Sequence, residues 1–430
     1  MEQLLDIARA VADQVEVYEE QRVSDEVAFQ NGALKDIESR RRYGVALTLV
    51  KDGRLGYAYT RNLKDRGHLV EDALASMAAG VEVGYELPGT RPEVQLQTRD
   101  PAVEVLDTAA MVADCERIAG YVRDRAEGEL DVIAARELDT LRVLNSAGFD
   151  RTWRGSVWFS VAGLRYPGSY ASIVKTALAA GFAPIPEHEL DTMCAMYAGG
   201  RREVRVEPGR TRVLFMPEAM HTLLWRVKAA TGGRAVFEGV SPLSGRLGDE
   251  VFDTRITIQD RPLDDSLPGA RAFDDEGTLC ADRPIVDRGV LRGFAFDQYY
   301  AWRAGERPTG NGYRLGVDHR PKAELRHVVV GAGPSPFEDL LKAMGSGVIV
   351  AGAMGAHSGN ILNGDYSIGL SPGLYVERGE IVGRVKDAMV AGNIYDTLRN
   401  VVGVGDTLSP GQAGWTPPIA FDDVSFAGRG

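Results

Sequence analysis

The chain has few cysteines and no long apolar run, and both shortages limit where the protein can work. Three cysteines, Cys115, Cys194 and Cys280, lie far apart, and no CxxC pair occurs, so reduced, mostly buried thiols are expected. No stretch of about 18 consecutive apolar residues is present, which argues against a membrane-spanning helix. The segment 1–15 carries acidic residues and lacks the apolar core with basic flanks of a secretory signal. We therefore expect a cytoplasmic protein.

A long basic run is also missing, and the formal net charge is −12. Proteins that bind nucleic acid usually present a basic face. The dense basic cluster Arg40-Arg41-Arg42 leads into a strand-like segment, so we interpret it as a solvated strand end. The sequence thus predicts no nucleic-acid partner and no membrane partner.

Motifs that bind nucleotides or present a nucleophile are absent from the sequence. No GxxxxGK[ST] phosphate loop occurs, and the glycine pairs at 310–312 and 403–405 lack the third glycine of a dinucleotide-binding fingerprint. No GxSxG elbow occurs, because the segment 144–148 lacks the first glycine. A Ser-His-Asp triad stays open, since its members can come from anywhere in a chain.

The histidine pair of a metalloprotease helix is missing too. Such a helix projects two imidazoles from one face onto one zinc ion, beside a carboxylate that activates water. The pair His188-Glu189 has Thr192 and Met193 where a second histidine would be needed. Nearby prolines also oppose a helix there. We therefore interpret His188-Glu189 as an exposed polar turn.

Two further histidines have no partner of this kind. His221 lies in a helical segment with Leu224 and Trp225 as its neighbours on the same face, which is typical of a packed or capping histidine. His357 lies in the glycine-rich segment AMGAHSGN. An imidazole in such a loop either contacts substrate or only completes the loop, and the sequence leaves both open.

The composition is that of an ordinary globular protein, with 44% hydrophobic and 26% charged residues among 430. A chain of this length can bury a large core and is expected to form two or three domains. Its 50 glycines are concentrated in the C-terminal half, which predicts tight turns and close approaches between backbone segments there.

Apolar periodicity changes along the chain and predicts an α+β fold, not a doubly wound sheet. Helical spacing is found in 2–15, 65–83, 107–126, 217–231, 336–345 and 393–403. Strand patterns are found in 26–60, 130–164, 211–216, 254–260, 290–302, 325–331, 348–354 and 373–383, with a hairpin turn at Asp52-Gly53. Proline-rich 84–101 is interpreted as a linker, and 181–193 as an irregular crossing.

These patterns predict three regions. Residues 1–95 form an N-terminal α/β region with hairpins and helices, and residues 96–205 form a central α/β region. Residues 206–430 form a β-rich C-terminal domain with few helices.

Three segments carry a more specific pattern. They read ALKDIESRRRYGVALTLVKDGRLGYAYT, then RVLFMPEAM at the start of a helix, then GNILNGDYSIG through AGNIYDTLRNVVGVG. Together they resemble the TldD/PmbA family, formerly called modulators of DNA gyrase, over residues 20–430. The resemblance implies a heterodimeric peptide-cleaving assembly in the bacterial cytoplasm, which acts on unfolded peptides or on leader peptides of modified antibacterial peptides.

The same resemblance implies that this chain is the metal-free member of the pair. In metal-bearing relatives, the helix after the RVLF-like strand carries Leu-His-Glu-x-x-x-His, and a C-terminal cysteine also binds the zinc. In this chain Trp225 takes the place of the first histidine, Arg226 of the glutamate and Ala230 of the second histidine, and no cysteine follows Cys280. The resemblance thus implies a PmbA/TldE-like subunit with no metal and no catalytic residue of its own. Zinc is expected in a metal-bearing TldD-like partner, and a homodimer of this chain is also possible.

The glycine-rich loop, residues 352–369, is the candidate peptide-binding segment. Its glycines permit a close backbone approach, and polar side chains between them can form directional hydrogen bonds. The candidate residues are His357, Gly359, Asn360, Gly364, Asp365, Tyr366 and Gly369. The alternative is that the glycines only turn the chain, with Asp365 leading a turn.

Two other classes of function stay open. One is a self-sufficient hydrolase with Cys280 or Ser358 as its nucleophile. The other is a binding module for a topoisomerase, as the older family name suggests, although the acidic net charge does not favour direct contact with DNA.

Overall fold

The computed structural model describes residues 1–90 and 92–428, and these form a mixed α+β fold, as predicted. The helices are α1 (Glu2–Arg9), α2 (Arg66–Ser76), α3 (Pro101–Val105), α4 (Thr108–Arg123), α5 (Glu187–Gly199), α6 (His221–Thr231), α7 (Gly233–Phe237), α8 (Gln298–Ala304), α9 (Phe337–Met344) and α10 (Ile394–Thr397). Two 3₁₀ turns cover Met77–Ala79 and Pro217–Ala219.

The strands of the first half are β1 (Gln14–Gln30), β2 (Ala33–Lys51), β3 (Arg54–Thr60), β4 (Glu129–Asn145), β5 (Asp150–Arg165), β6 (Ser172–Ala179), β7 (Glu203–Val204) and β8 (Gly209–Phe215). Those that follow are β9 (Ile258–Asp260), β10 (Arg283–Asp287), β11 (Val290–Leu291), β12 (Gly312–Tyr313), β13 (Lys322–Ala323), β14 (Val328–Val330), β15 (Gly347–Val350) and β16 (Ala353–Met354). The last are β17 (Asp365–Leu370), β18 (Gly373–Glu377), β19 (Glu380–Val385), β20 (Met389–Asn393), β21 (Val401–Val404), β22 (Ser409–Gly411), β23 (Gly414–Thr416) and β24 (Ile419–Ala427).

Six of the described strands form an antiparallel first sheet in the order β3-β2-β1-β4-β5-β6. The turn between β2 and β3 is the predicted Asp52-Gly53 hairpin, and both residues have positive φ, as a two-residue turn of this kind requires. Helix α4 packs on one face of the sheet through buried Cys115 and Ile118. Residues 84–100 of the predicted linker, leaving aside residue 91, contain no helix or strand.

A second large sheet forms the centre of the C-terminal half. Along this sheet, the described strands follow the order β16-β17-β20-β24-β8-β15-β18-β19-β7. Val213 and Phe215 of β8 point into a core shared with α6, while Leu214 points into a core shared with the first sheet. Both faces of β8 are therefore buried at its C-terminal end, which explains the run of three apolar residues Val213-Leu214-Phe215. A smaller sheet has the order β11-β10-β9-β14-β23-β22.

Several sequence-based assignments were wrong. The helix expected over 2–15 ends at Arg9, and β1 begins at Gln14, because the alternation of the long strand takes over there. The irregular crossing expected over 181–193 includes the start of α5, so His188-Glu189 lies on a helix. Its prolines come before the helix, where they break no helical hydrogen bond.

The helix expected over 393–403 ends at Thr397, and strand β21 begins at Val401. The strand expected over 290–302 was a further error. Only Val290–Leu291 is extended, and α8 starts at Gln298. The side chain of Asp297 accepts a hydrogen bond from the backbone N–H of Tyr300 at 2.7 Å and so caps the helix. The aromatic residues that suggested a strand lie on this short helix.

The predicted borders between the three regions, at 95/96 and 205/206, stay predictions. Across the two described stretches of the chain, no helix has the length and apolar character needed to cross a membrane.

Candidate functional site

Helix α6 is the element on which the site is built. Pro217 opens the 3₁₀ turn that leads from β8 into the helix, where a missing N–H costs nothing. Nδ1 of His221 lies 3.0 Å from the backbone oxygen of Glu218, and its ring packs edge-on against Trp225. Burial lowers the pKa of His221. This histidine is therefore packed at the helix start.

Arg226 is the most unusual residue of this helix, because its side chain is fully buried. Its guanidinium donates to backbone oxygens on two segments. Nη1 lies 2.5 Å from the oxygen of Thr222, one turn earlier in α6. Nη1 also lies 3.0 Å from the oxygen of Ala356, Nη2 lies 2.7 Å from that of Ser358, and Nε lies 2.7 Å from that of Asp365.

These bonds tie the glycine-rich loop to α6. Burial lowers the pKa of Arg226, but a guanidinium keeps its charge in proteins. Within residues 1–90 and 92–428, no carboxylate lies within ion-pair distance of it, so backbone carbonyl dipoles contact the charge directly while the carboxylate of Asp365 acts at longer range. The ring of Tyr366 lies 5.9 Å from the guanidinium carbon. The loop is thus organised around a buried cation.

The three positions of α6 that correspond to the metal-binding motif of the relatives, Trp225, Arg226 and Ala230, are not suited to bind a metal ion. Trp225 has no ligand atom suited to a hard or borderline cation, and Ala230 is buried and apolar. Arg226 brings a positive charge that would repel a metal ion. The described residues also contain no group of three or more His, Cys, Asp or Glu side chains placed to hold a metal.

The exposed part of the loop contains four of the predicted site residues. His357, Gly359, Asn360 and Asp365 are exposed. The side chain of Asn360 accepts a hydrogen bond from the backbone N–H of Asn363 at 3.1 Å, which helps to close the turn over residues 360–363. The backbone N–H of Asp365 donates to the backbone oxygen of Asn360 at 3.0 Å.

The other three predicted residues lie deeper. Gly364 is buried and has φ of +87°, and an added Cβ would lie 2.8 Å from the side chain of Ile394. Tyr366 is buried, and its hydroxyl lies 2.8 Å from the hydroxyl of Thr397. Gly369 pairs with β16 and β20 inside the sheet. Contact between the loop and a peptide stays a prediction. The exposed side chains of His357, Asn360 and Asp365 are the ones that a bound peptide could contact.

A large cleft lies on the other side of α6, with a volume of about 1030 Å³. Its walls come from β1, β2, β3, residues 76–87, α7, α8 and residues 318–323. Lys228 and Ala229 of α6 line it, and Leu362 brings the glycine-rich loop to its edge. Helix α6 therefore contacts both the anchored loop and the cleft.

The cleft carries aromatic rings and buried carboxyl groups. Tyr57, Tyr85, Tyr299 and Tyr300 line it, together with Glu276 and Asp297, both buried. Reasoning from the sequence missed this cleft, because its walls come from segments far apart in the chain. The one local signal was Asp297 at the cap position of a helix that was read as a strand.

The two proposed nucleophiles have contrasting surroundings. Cys280 is buried, and its thiol donates to the backbone oxygen of Gly310 at 3.3 Å. Burial raises the pKa of this thiol, which disfavours the reactive thiolate. Ser358 lies in the anchored loop, where its backbone oxygen accepts from Arg226.

Comparison with known proteins identifies the lineage. The family model described as the PmbA/TldA metallopeptidase C-terminal domain matches residues 208–428, which is over half of the chain. The chain belongs to the PmbA/TldD family. The model for PmbA/TldA metallopeptidase domain 1 matches residues 15–82.

Three relatives of this PmbA/TldD family member match between half and the whole of its length. It is 22% identical to a metalloprotease of Methanothermobacter thermautotrophicus over 90% of this chain and 86% of that protein. It is 32% identical to metalloprotease PmbA of Escherichia coli O157:H7 over 50% of this chain and 46% of that protein. The crystal structure of TldE from Thermococcus kodakarensis matches the whole of both chains with a TM-score of 0.91 at 21% identity, which shows that the two share a fold.

Proposed function

We propose that this chain is the metal-free subunit of a heterodimeric TldD/TldE-type peptidase. It contributes cleft walls and peptide binding, while a metal-bearing TldD-like partner supplies the zinc. The complex acts in the cytoplasm on unfolded peptides or leader peptides. The single observation that carries the proposal is the buried guanidinium of Arg226, which donates to Thr222, Ala356, Ser358 and Asp365.

The Arg226 contacts support a subunit that assists cleavage and does not catalyse it. A metallopeptidase needs a carboxylate at this helix position to activate water. A guanidinium cannot accept that proton, because it has five donors and no acceptor. Here the same position holds the loop in place, so the helix has a structural task where a catalytic one would be expected.

The cleft supports a peptide as the ligand. Its volume of about 1030 Å³ is at the upper end of the range for small-molecule sites. Tyrosines along the walls offer apolar faces with a hydroxyl at one end, which suits side chains of many kinds. The edge strand β3 is already covered, because the backbone N–H of Leu55 donates to the oxygen of Val81 and that of Tyr57 donates to the hydroxyl of Ser76. The peptide would therefore contact the side chains of the cleft walls and not this sheet edge.

Co-expression with a metal-bearing TldD-like chain tests the proposal. We expect the two chains to purify as one complex that cleaves an unfolded peptide, while neither chain does so alone. Elemental analysis should find no stoichiometric zinc in this chain. Replacing the partner's zinc-binding histidines with alanine should abolish cleavage.

The rival hydrolase is tested in the same assay. Cys280→Ser and Ser358→Ala should leave cleavage by the complex intact. If this chain alone cleaves the peptide and either substitution stops it, the chain is a self-sufficient hydrolase and the proposal is wrong. A topoisomerase-binding role would instead appear as specific capture of a topoisomerase by this chain.

A further inference from the structure

The cleft contains one carboxyl group with an unused oxygen. The side chain of Glu276 lines the cleft, and the residue is 8% exposed. Oε2 accepts a hydrogen bond from the backbone N–H of Gln298 at 2.9 Å. Oε1 accepts no hydrogen bond from any residue that the structure describes. This oxygen is therefore available to a donor of a ligand in the cleft.

Asp297 is a second buried carboxylate in the same wall and is 3% exposed. It caps α8 through the N–H of Tyr300. In the described stretches of the chain, neither Asp297 nor Glu276 has an arginine, lysine or histidine within ion-pair distance. Backbone N–H groups stabilise both carboxyl groups, and the charge of Arg320 acts on Asp297 at longer range.

The other charges that line the cleft are largely paired within the protein. The guanidinium of Arg314 lies 2.7 Å from the carboxylate of Glu16, and that of Arg234 lies 3.0 Å from the carboxylate of Glu238. The ammonium of Lys228 lies 3.7 Å from the carboxylate of Glu324. Arg320 is exposed at the surface. Lys322 also lines the cleft and is exposed, and Arg320 acts on Asp297 from beyond ion-pair distance. In the described stretches, the buried wall formed by Glu276 and Asp297 therefore has no cation in direct contact with it.

We propose that the cleft binds the primary ammonium group of an extended peptide, with Glu276 and Asp297 as its acceptors and the neighbouring tyrosines as walls for the residues that follow. The peptide as ligand rests on the proposed function, and the ammonium preference rests on the cleft itself. The ammonium group can be the free α-amine of the peptide or a lysine side chain.

The hydrogen-bond pattern favours ammonium over the two other common cations. A guanidinium pairs best with both oxygens of one carboxylate, but Oε2 of Glu276 is already bonded to Gln298. A metal ion needs more ligands, and the described residues offer no group of three that could hold one. An ammonium is a compact charge with three donors, which suits one free oxygen and a neighbouring carboxylate.

Electrostatics at Glu276 are consistent with a missing cation. Burial, together with the charges of Asp274 and Asp297, raises the pKa of Glu276 well above its usual value. Burial likewise raises the pKa of Asp297. An ammonium ion beside these groups would favour their ionised forms.

Binding of unfolded peptides to the full chain, followed by fluorescence anisotropy with a label at the peptide's C-terminus, tests the proposal. The peptides share one sequence without lysine and differ in a free or an acetylated N-terminus, and a third peptide is acetylated but contains one lysine. We expect acetylation to weaken binding at least about tenfold, since a charged hydrogen bond is lost. The lysine peptide shows whether a side-chain amine can replace the α-amine.

Two substitutions remove charge and keep the local structure. Asp297→Asn keeps a good helix cap, and Glu276→Gln keeps an oxygen for the N–H of Gln298. Each should reduce the preference for the free amine to less than about threefold, while binding of the acetylated peptide without lysine stays unchanged. Asp318→Asn is the matched control, because Asp318 also lines the cleft but is exposed. This variant should keep the preference of the parent protein for the peptide with a free amine.

Equal binding of all three peptides would overturn the proposal, as would an unchanged preference in both Asp297→Asn and Glu276→Gln. Failure to bind any of the peptides, alone or in complex with the partner, would also overturn it. The outcome is separable from that of the proposed function. Loss of the amine preference would leave co-purification and zinc-dependent cleavage untouched, and a failed co-purification would leave the anisotropy series unchanged.

Discussion

Replacing Arg226 with methionine should release the glycine-rich loop and destabilise the whole protein. Methionine has a similar length and fills much of the same space, so the change removes mainly the charge and the hydrogen bonds. The oxygens of Ala356, Ser358 and Asp365 then lose their donor, and so does that of Thr222.

The magnitude follows from the exposure of those acceptors. A buried group left without its partner costs about 1–3 kcal/mol. Ala356 is buried, whereas Ser358 is half-buried and Asp365 is exposed, so water can reach part of the released loop. We therefore expect a loss of about 3–5 kcal/mol in the free energy of unfolding, as for other buried charged groups that lose their contacts.

Urea unfolding at neutral pH measures the loss, and hydrogen exchange of the amides in residues 355–365 measures the release of the loop. The free energy of unfolding of Arg226→Lys should lie between those of Arg226→Met and the parent protein, because lysine keeps the charge but lacks the planar fork of the guanidinium. Arg41→Met, on the exposed part of β2, is the control and should change stability by less than about 0.5 kcal/mol. If Arg226→Met matched this control and loop exchange stayed slow, the anchoring role would be refuted.

Two further predictions concern glycines and acid stability. Gly364→Ala should lower stability by about 1–3 kcal/mol because of its positive φ and its contact with Ile394, whereas Gly369→Ala should cost less than about 1 kcal/mol, since its nearest neighbour would lie 3.6 Å away. Thermal unfolding compares the two, and equal losses would contradict the reasoning. Burial lowers the pKa of His327 from 6.5 to about 4, so its contribution to stability is present above pH 6.5 and lost as the pH falls toward 4, by about 3 kcal/mol. In His327→Gln, glutamine can still donate to the oxygen of Gly269, so the urea midpoint should decrease less between pH 7 and pH 4.5 than in the parent protein. An equal decrease in both proteins would show that other groups cause the loss of stability at acidic pH.

Local signals in the sequence predicted the parts of the fold that depend on neighbouring residues. The Asp52-Gly53 turn and the end of α9 at Gly345, with φ of +66°, follow from the conformations that these residues permit. The errors arose where tertiary contacts decide. Asp297 caps a helix within a stretch that alternates like a strand, and Pro186 precedes a helix that prolines seemed to oppose.

The candidate site divides in the same way. The place of Arg226 in the helix followed from its alignment with the family pattern, which also raised the question of the metal. Its acceptors could not be predicted, because Ala356, Ser358 and Asp365 are backbone positions about 130 residues further along the chain. The cleft is still less visible in the sequence, since its carboxyl groups and tyrosines meet only after both sheets have formed.

The position of β24 has a consequence for how the protein is made. This strand comes at the far end of the C-terminal half, yet it lies between β20 and β8, which begins that half. During synthesis, β8 therefore emerges with an unpaired edge and must wait until β24 has been made about 200 residues later. The first sheet has no such delay, because its strands are all made before β8. We expect the N-terminal half to fold on the ribosome while the C-terminal half stays open to chaperones until β24 has emerged.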